Sequence, residues 1–591
     1  MNERPADRLA IAVAQLNPIV GDVTGNLELA RKARARAGRD RADIVAFSEL
    51  FIAGYPPEDL VLKPAFQAAC RAALEMLARE TADGGPAVLI GAPWVEDGKL
   101  YNAYALLAGG RIEALRFKVN LPNYGVFDEK RVFAAGPLPG PVSFRGVRLG
   151  LPVCEDTWTD WGDYENVVEC LAETGAEILL VPNGSPYWRD KAEVRLNVVV
   201  ARVTEAGLPL IYINQLGGQD ELVFDGASFA LNADRSVAFA LPAFREDVLT
   251  THWSRINGKS NGSIWRCARG EIAPAEERDK ADYTACVLGL RDYVDKNRFK
   301  GVVIGLSGGI DSALCAAMAT DALGAERVRC VMLPYRYTSQ ASLDDAGAIA
   351  QALGVRYDIV PIESAVHGLE TALAGVFQGA PRDVTEENLQ ARARGTILMA
   401  ISNKFAAMVV TTGNKSEMSV GYATLYGDMN GGFNPIKDLY KTEVYRLSKL
   451  RNGWKPEGAR GPDRNVIPEN VITRAPSAEL RENQTDQDSL PPYDILDQIL
   501  ERLVEREEST ATIVAAGFDR DTVLKVERML YLAEYKRRQA APGVKVTLRN
   551  FGRDRRYPIV NRFNDSGTAA PQPDRTPVQG AAMAKAGGSD F

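Results

Sequence analysis

The octapeptide Gly305-Leu306-Ser307-Gly308-Gly309-Ile310-Asp311-Ser312 decides how the second half of this 591-residue chain is interpreted. It continues the apolar run that begins at Val302, so it predicts a strand, a glycine-rich turn and a helix N-terminus. Free backbone N–H groups and the helix dipole at such an N-terminus favour a phosphate group. The Gly-Lys-Ser/Thr ending of a Walker A loop is absent, so we do not expect a kinase-type phosphate loop.

Apolar strands alternate with helical patterns on both sides of this loop. Around it, a helix is predicted at 279–297, and strands are predicted at Val302–Leu306, Val328–Leu333, Arg356–Val360 and Met408–Thr411. Earlier strands are predicted at Ile11–Gln15, Ile44–Phe47, Ala87–Ile90, Leu149–Val153, Ile178–Val181 and Leu210–Asn214. Both halves are therefore expected to be α/β, and the second is expected to contain a doubly wound parallel sheet.

The length of the chain predicts more than one domain. We expect a first domain at 1–254, a linker or crossing arm at 255–277, a second domain at 278–562 and a disordered tail at 563–591. The linker is rich in Asn, Gly, Ser and charged residues, and the tail is rich in Ala, Gly and Pro. No internal repeat is apparent.

Composition excludes several classes of function. A net charge of −7 and a pI near 5.4 disfavour a nucleic-acid partner. No signal peptide or membrane-spanning run is apparent, and the seven cysteines lack paired CxxC spacing, so a reduced cytoplasmic protein is expected. Only His252 and His367 are present, which makes a Ser-His-Asp triad or a His-rich metal site improbable and leaves acid–base chemistry to carboxylates, Lys and Cys.

Three reactive side chains in the first half each follow a predicted strand: Glu49, Lys118 and Cys154. The ends of strands in α/β folds converge on a pocket. A Cys nucleophile without a His needs another base and a nearby cation, which a Glu and a Lys can supply. This pattern predicts a cysteine amidase.

The segments around these residues, FSELFIAGYPPEDL, FKVNLPNYGVFDEKRVF and GLPVCEDTW, resemble the three catalytic blocks of the nitrilase superfamily. The resemblance implies an αββα sandwich in which Glu49 is the general base, Lys118 the catalytic lysine and Cys154 the nucleophile that forms a thioester. It also implies that Glu129 is the second glutamate. The segment NGSPYWRDK is similar to the glutaminase branch, where residues matching Tyr124, Ser185 and Lys191 bind glutamine.

The hexapeptide SGGIDS resembles the pyrophosphate loop of enzymes that split ATP to AMP and pyrophosphate. The segments TEENLQARARGTILMAISNK and VVTTGNKSEMSVGYATLYGDMNGGFNPIKDLYKTEVY are similar to the NAD synthetase family, and the preceding amidase half is typical of its glutamine-dependent branch. Leu425 and Gly432 stand where several stand-alone members carry Lys and Asp.

That resemblance implies a Rossmann-like ATP pyrophosphatase domain and assigns further residues. ATP would be bound by the octapeptide, Thr412 and Lys441; deamido-NAD by Asn388, Glu417 and Lys536; and Mg²⁺ by Asp311 and Glu417. The implied substrates are glutamine, ATP and deamido-NAD, and the implied assembly is a homo-oligomer.

Two other interpretations stay open at this point. The first is another glutamine-dependent ATP pyrophosphatase that amidates a different carboxylate, of which a tRNA-modifying enzyme is a weaker form because the chain is acidic. The second is a binding or regulatory protein that retains the fold without catalysis. Retention of Cys154, Lys118, Glu49 and Asp311 argues against the latter.

Overall fold

The computed structural model describes residues 7–158, 164–257, 263–563 and 565. The described residues up to Gln219 form the N-terminal unit together with Val223–Glu276. The described residues from Glu277 onward form the C-terminal unit together with Asp220–Leu222. Almost all of the predicted tail, 563–591, lies outside the described residues.

The N-terminal unit is built on two sheets flanked by helices. Its strands are β1 (Arg8–Gln15), β2 (Ile44–Ala46), β3 (Ala87–Glu96), β4 (Lys99–Ala108), β5 (Arg111–Phe117), β6 (Val142–Phe144), β7 (Val147–Gly150), β8 (Ile178–Asn183), β9 (Leu210–Asn214), β10 (Leu216–Gln219), β11 (Leu222–Asp225), β12 (Phe229–Leu231), β13 (Val237–Ala240), β14 (Asp247–Asn257) and β15 (Ser263–Cys267). Its helices are α1 (Val23–Arg39), α2 (Pro64–Glu80), α3 (Glu129–Val132), α4 (Val167–Glu173) and α5 (Lys191–Ala206).

One sheet has seven strands in the order β15-β14-β1-β2-β3-β4-β5, and the other has six in the order β13-β12-β9-β8-β7-β6. The alternation of side chains along the strands explains the layering. In β1, Ile11 and Val13 face a core between the sheets, whereas Ala12 and Ala14 face the core under α1 and α2. In β8, Ile178 enters the inter-sheet core and Leu179 the core under α4 and α5. The predicted αββα sandwich is confirmed.

The predicted linker at 255–277 is partly wrong. Strand β14 continues to Asn257, and β15 pairs antiparallel with it, with Trp253 opposite Cys267. Trp265 and Cys267 are each 2% exposed in the inter-sheet core, whereas Ile264 before them and Arg266 between them are exposed. This period of two makes the segment an edge strand, despite the polar residues around it.

The C-terminal unit carries one parallel sheet of four strands, β16 (Val302–Gly305), β17 (Val328–Met332), β18 (Arg356–Ile359) and β19 (Met408–Val410). Its helices are α6 (Arg278–Lys296), α7 (Ile310–Leu323), α8 (Gln340–Leu353), α9 (Glu363–Leu373), α10 (Val384–Phe405), α11 (Lys415–Val420), α12 (Lys441–Gly453), α13 (Glu469–Thr473), α14 (Tyr493–Val504), α15 (Thr510–Ala515), α16 (Arg520–Leu532) and α17 (Glu534–Arg537).

The strand order β18-β17-β16-β19 makes β16 a central strand. Helices cover both faces of this sheet. Val303 and Val331 pack with residues of α9 and α10 on one face, and α7 lies against β16 and β17. The predicted doubly wound parallel sheet is confirmed, and the carboxyl end of β16 leads directly into the glycine-rich loop.

No helix in the described part of the chain is long and apolar enough to cross a membrane.

Candidate active sites

A buried cluster of charges lies in the N-terminal unit, where the segments after β2 and β5 meet. Lys118 Nζ lies 2.7 Å from Glu49 Oε1 and 2.8 Å from Glu129 Oε1. The side chains of Lys118 and Glu49 are fully buried. Although burial by itself lowers the pKa of Lys118, the carboxylates of Glu129 and Glu49 raise it well above its usual value. Lys118 is therefore a permanent cation between two carboxylates.

Three further groups complete this cluster, and sequence reasoning missed all of them. Asn102 Nδ2 donates to Glu49 Oε1 at 2.8 Å, and the amide of Gly184 donates to Glu49 Oε2 at 2.8 Å. The Tyr55 hydroxyl donates to Glu129 Oε1 at 2.8 Å. Tyr55 and Gly184 lie inside the motifs that carry Glu49 and Ser185, which was the available signal. Asn102, in the middle of β4, has no local signal.

Cys154 lies on a tight turn after β7, with a left-handed backbone φ of 44°. It is 4% exposed. Burial raises the pKa of its thiol well above the usual value, and Glu49 raises it further, whereas Lys118 opposes the rise. Cys154 is therefore a thiol at rest within the field of the Glu49–Lys118 pair, and its proton must leave when it attacks.

Of the three predicted glutamine-binding residues, Ser185 and Lys191 are buried in this unit and Tyr124 is half-buried. The Tyr124 hydroxyl donates to Glu155 Oε1 at 3.0 Å, which connects it to the residue after Cys154. The Ser185 amide donates to Asn214 Oδ1 at 3.0 Å. Lys191 Nζ lies 4.0 Å from the ring centroid of Trp158. Burial, together with the charge of Arg195, lowers the pKa of Lys191 to about 7.

In the C-terminal unit, the glycine-rich loop turns sharply between β16 and α7. Gly308 has a φ of 79°, and a Cβ atom built on it would lie 2.3 Å from the carbonyl oxygen of Ser342. Only glycine fits this position. The hydroxyls of Ser307 and Ser312 lie 3.1 Å apart, and Ser312 Oγ donates to the Gly309 carbonyl at 3.0 Å. The loop is thus pre-shaped at the N-terminus of α7.

Asp311, Glu417 and Lys441, three of the predicted site residues, lie together beside this loop. Lys441 Nζ is paired with Asp311 Oδ2 and lies 3.2 Å from Glu417 Oε1. Asn414, which was not predicted, connects them: its Nδ2 donates to Asp311 Oδ1 at 2.8 Å, and its Oδ1 accepts from the Glu417 amide at 3.0 Å. Burial raises the pKa of Glu417 to about 8, with Asp311 adding to the rise and Lys441 opposing it.

Two cavities open at this edge of the sheet, with volumes of about 260 Å³ and 250 Å³. Ser307, Thr411 and Thr412 line both. The larger cavity also contains most of the predicted phosphate and metal residues: Gly309, Ile310, Asp311, Ser312, Glu417 and Lys441. The smaller contains Gly305 and Leu306.

Two residues predicted to bind deamido-NAD, Asn388 and Lys536, line neither of these two cavities. Asn388 Oδ1 accepts from the Thr424 hydroxyl at 2.9 Å. Lys536 Nζ donates to the carbonyls of Gly421 and Ala423 at 2.7 and 2.6 Å. Both side chains support the segment that follows α11, and the structure does not bring them to the cavity wall.

A divalent cation could be held by Asp311 and Glu417. The described residues contain no group of three or more His, Cys, Asp or Glu side chains suited to a metal. Two carboxylates that share one cation, Lys441, do lie at the phosphate loop. This donor set fits Mg²⁺, which typically takes one or two carboxylates and completes its shell with waters and substrate phosphates.

Comparisons with known proteins agree with this division into two sites. Residues 283–540 match the family model of NAD synthase, and residues 10–255 match that of carbon-nitrogen hydrolase. The chain is 53% identical over 559 residues to the glutamine-dependent NAD(+) synthetase of Rhodobacter capsulatus, covering 95% of this chain and 99% of that protein. It is 49% identical over 568 residues to that of Xanthomonas campestris pv. campestris, covering 95% and 98%.

A solved structure is also similar over nearly the whole chain. The glutamine-dependent NAD+ synthetase from Acinetobacter baumannii in complex with adenosine diphosphate is 42% identical, with a TM-score of 0.73 and coverage of 94% of this chain and 99% of that one. The identity to full-length relatives, the two matched domains and the two sites lead to one conclusion. The chain belongs to the family of glutamine-dependent NAD(+) synthetases.

Proposed function

We propose that this protein makes NAD from deamido-NAD, ATP and glutamine, using a different unit for each half of the reaction. The observation that carries the proposal is the presence, in one chain, of a buried Cys-Glu-Lys-Glu cluster and of a phosphate loop beside two paired carboxylates. The first arrangement suits release of ammonia from an amide. The second suits activation of a carboxylate by ATP, after which ammonia displaces AMP.

In the N-terminal unit, Cys154 Sγ attacks the carboxamide carbon of glutamine as Glu49 accepts the thiol proton. A raised pKa of Cys154 makes this base necessary, because little thiolate exists beforehand. The Lys118 ammonium offsets the negative charge on the carboxamide oxygen. The intermediate expels ammonia, with the proton returned from Glu49, and leaves a γ-glutamyl thioester on Cys154. Water then hydrolyses the thioester to glutamate and restores the thiol.

In the C-terminal unit, the nicotinate carboxylate of deamido-NAD attacks the α-phosphorus of ATP and pyrophosphate leaves. The loop amides and the N-terminus of α7 hold the phosphates, and the Lys441 ammonium is oriented toward them by Asp311 and Glu417. Ammonia then attacks the acyl carbon of the adenylate and AMP leaves, which gives the amide of NAD. Thr412, on the wall of both cavities, is proposed to contact ATP.

Asp311 and Glu417 are proposed to hold Mg²⁺. A bound divalent cation would neutralise the negative charge that concentrates on the departing pyrophosphate. The residues themselves are held in position by Asn414, which donates to the Asp311 carboxylate and accepts the backbone amide of Glu417. Helix α11 begins directly after Asn414.

Asn388 and Lys536 are proposed to act on deamido-NAD only through the segment that they support. Their hydrogen bonds go to Thr424 and to the carbonyls of Gly421 and Ala423. We further propose a cytoplasmic location. All seven cysteines lie in the described part of the chain and none is in a disulfide there, as expected for a reducing compartment.

The decisive experiment incubates the purified protein with ATP, Mg²⁺, glutamine and deamido-NAD, and quantifies NAD and AMP against a control without deamido-NAD. Equal amounts of NAD and AMP that require deamido-NAD support the proposal. Glutamine hydrolysis without NAD would reject deamido-NAD as the acceptor and favour another carboxylate.

Two variants separate the half-reactions. Cys154→Ala should abolish synthesis from glutamine and retain synthesis from ammonium chloride, whereas Cys170→Ala, a half-buried cysteine on α4, should leave both unchanged. Asp311→Asn should stop AMP formation and retain glutamine hydrolysis. Its matched control is Asp344→Asn, on the exposed face of α8. Loss of both activities in folded Cys154→Ala protein would contradict the two-site proposal.

A further inference from the structure

Asp156 is a buried carboxylate two residues after Cys154 and is 1% exposed. One of its oxygens, Oδ1, accepts the backbone amides of Val119 at 3.1 Å and Asn120 at 2.8 Å. The other, Oδ2, accepts the amide of Val153 at 2.9 Å. The amides of Val119 and Asn120 belong to the two residues after Lys118, and the amide of Val153 belongs to the residue before Cys154. A single side chain therefore connects the backbones that carry the lysine and the nucleophile.

The two backbones belong to different sheets. Lys118 follows β5, the edge strand of the seven-stranded sheet, and Cys154 follows β7 of the six-stranded sheet. The core between the sheets is apolar, and the hydrophobic effect that drives its packing is non-directional. The three hydrogen bonds that one carboxylate accepts add a directional constraint between the two strand ends.

The turn that contains Asp156 also contains Cys154, and hydrogen bonds within the turn hold the two residues together. The Asp156 amide donates to the Val153 carbonyl at 3.0 Å, and the Thr157 hydroxyl donates to the Cys154 carbonyl at 2.8 Å. These bonds fix Asp156 relative to Cys154, so the bonds to Val119 and Asn120 transmit that position to Lys118.

We propose that Asp156 is a positioning residue for glutamine hydrolysis, which aligns Lys118 with Cys154 through the three amides. The inference rests on the proposed glutaminase function of the N-terminal unit. Asp156 does not touch the reacting atoms in this account. It acts by fixing the position of one strand end relative to the other. Catalysis is sensitive to the placement of reacting groups, and a displacement of about 1 Å can lower a rate ~10²-fold.

Asp156→Asn is a discriminating change because both oxygens of the carboxylate face N–H donors. An amide presents one oxygen and one NH₂, so whichever way it turns, the NH₂ faces a backbone amide that it cannot bond. The size of the side chain is nearly unchanged. Burial raises the pKa of Asp156 to about 7, and the bonds from the Asn120 and Val153 amides oppose that rise.

The test measures steady-state glutamine hydrolysis by full-length Asp156→Asn. We expect kcat to fall about 10²-fold, with KM for glutamine changed less than about threefold, because Tyr124, Ser185 and Lys191 are held by other contacts. Synthesis from ammonium chloride should stay at the level of the unaltered protein. The matched control is Asp43→Asn, just before β2 at the opposite end of the unit's strands, where one oxygen still accepts the Ala10 amide and kcat should be unchanged.

Folding of the N-terminal unit is checked by glutamine binding, with calorimetry on Cys154→Ala and on Cys154→Ala/Asp156→Asn. Equal dissociation constants with a reduced kcat in Asp156→Asn support the proposal. Unchanged kcat overturns it.

Where Asp156→Asn does not bind glutamine, Asp156→Ser is measured in the same way. Loss of binding in both variants also overturns the proposal, because the residue would then maintain the fold. If the unaltered protein does not hydrolyse glutamine, the failure is that of the proposed function.

Discussion

At the scale of single residues, burial and neighbouring charges set the protonation states in both sites. Lys118 stays protonated because Glu49 and Glu129 flank it, whereas burial raises the pKa of Glu417 against the opposing charge of Lys441. Lys191 is the exception among the buried lysines of the N-terminal unit. Burial lowers its pKa to about 7, so its charge changes within the physiological range.

The state of Lys191 predicts that glutamine binding depends on pH. Its ammonium is the group of the predicted glutamine-binding set that can pair with the α-carboxylate of the substrate. Below the lowered pKa the side chain is charged and attracts that carboxylate, and above it the charge is lost. In Cys154→Ala, we expect the dissociation constant for glutamine to rise between about pH 6 and pH 8.5, by at most about tenfold per unit.

Calorimetry over this pH range checks the prediction. Lys191→Met should bind more weakly at low pH and show little pH dependence. A dissociation constant that is flat with pH in Cys154→Ala would mean that Lys191 does not face the carboxylate of glutamine.

At the scale of elements, the loop between β16 and α7 predicts a strong effect of a small change. In Gly308→Ala, the alanine would have to adopt a positive φ, which residues with a Cβ rarely do. Its Cβ would also lie 2.3 Å from the Ser342 carbonyl oxygen. We expect the loop to shift, with the KM for ATP rising about tenfold or more, equivalent to ~1.4 kcal/mol or more. Glutamine hydrolysis should be retained.

The matched control is Gly347→Ala, on α8, where a new Cβ meets no atom within 4 Å. It should keep the KM for ATP and stabilise the helix by about 0.5–1 kcal/mol. Equal KM values for ATP in Gly308→Ala and the unaltered protein would refute the role of the loop geometry.

A buried ion pair between helices of the C-terminal unit is expected to contribute strongly to the free energy of unfolding of that unit. Arg451 of α12 binds Asp321 of α7 through two bonds of 2.6 and 2.8 Å, and the Tyr283 hydroxyl of α6 donates to Asp321 at 2.7 Å. The side chains of Asp321 and Arg451 are fully buried. Asp321→Ala should destabilise this unit by about 3–5 kcal/mol, because it leaves a buried guanidinium unpaired.

Chemical denaturation, with the transition of the C-terminal unit identified by its shift on adding ATP, measures this effect. The control is Asp279→Asn, whose pair with Arg446 also joins α6 to α12 at 2.9 Å but is partly exposed. It should change stability by about 0–1 kcal/mol. A similar small change for Asp321→Ala would contradict the assignment of stability to the buried pair.

At the scale of the whole molecule, we propose a homo-oligomer, as the family resemblance implies. Large apolar side chains of the C-terminal unit are exposed: Val560 at 95%, Phe563 at 65%, Leu532 at 64% and Tyr426 at 61%. Burial of such surface against a second copy would stabilise an assembly. Light scattering on the eluting protein should give a multiple of the chain mass of 64.3 kDa. A mass of one chain at micromolar concentration would reject the proposal.

Much of both sites was predictable from the sequence because their signals are local. A strand followed by a turn and a helix follows from apolar period and turn chemistry, so Ser307–Ser312, Glu49, Lys118 and Cys154 were identified at strand ends. An α/β first half and a doubly wound second half are expected for the same reason, whereas the αββα sandwich is implied by the resemblance to the nitrilase superfamily. The edge strand β15 was missed because its alternation spans only five residues inside a polar segment.

The sequence by itself determined which reactive side chains stand at the ends of which strands, because that depends on neighbours within a few residues. Only the tertiary structure decided their partners: Asn102 lies 53 residues from Glu49, and Asn414 lies 103 residues from Asp311. It also decided that Asp156 joins two sheets and that Asn388 and Lys536 support a loop. Such contacts form when separate layers pack together, and the distance between layers has no counterpart in any local pattern.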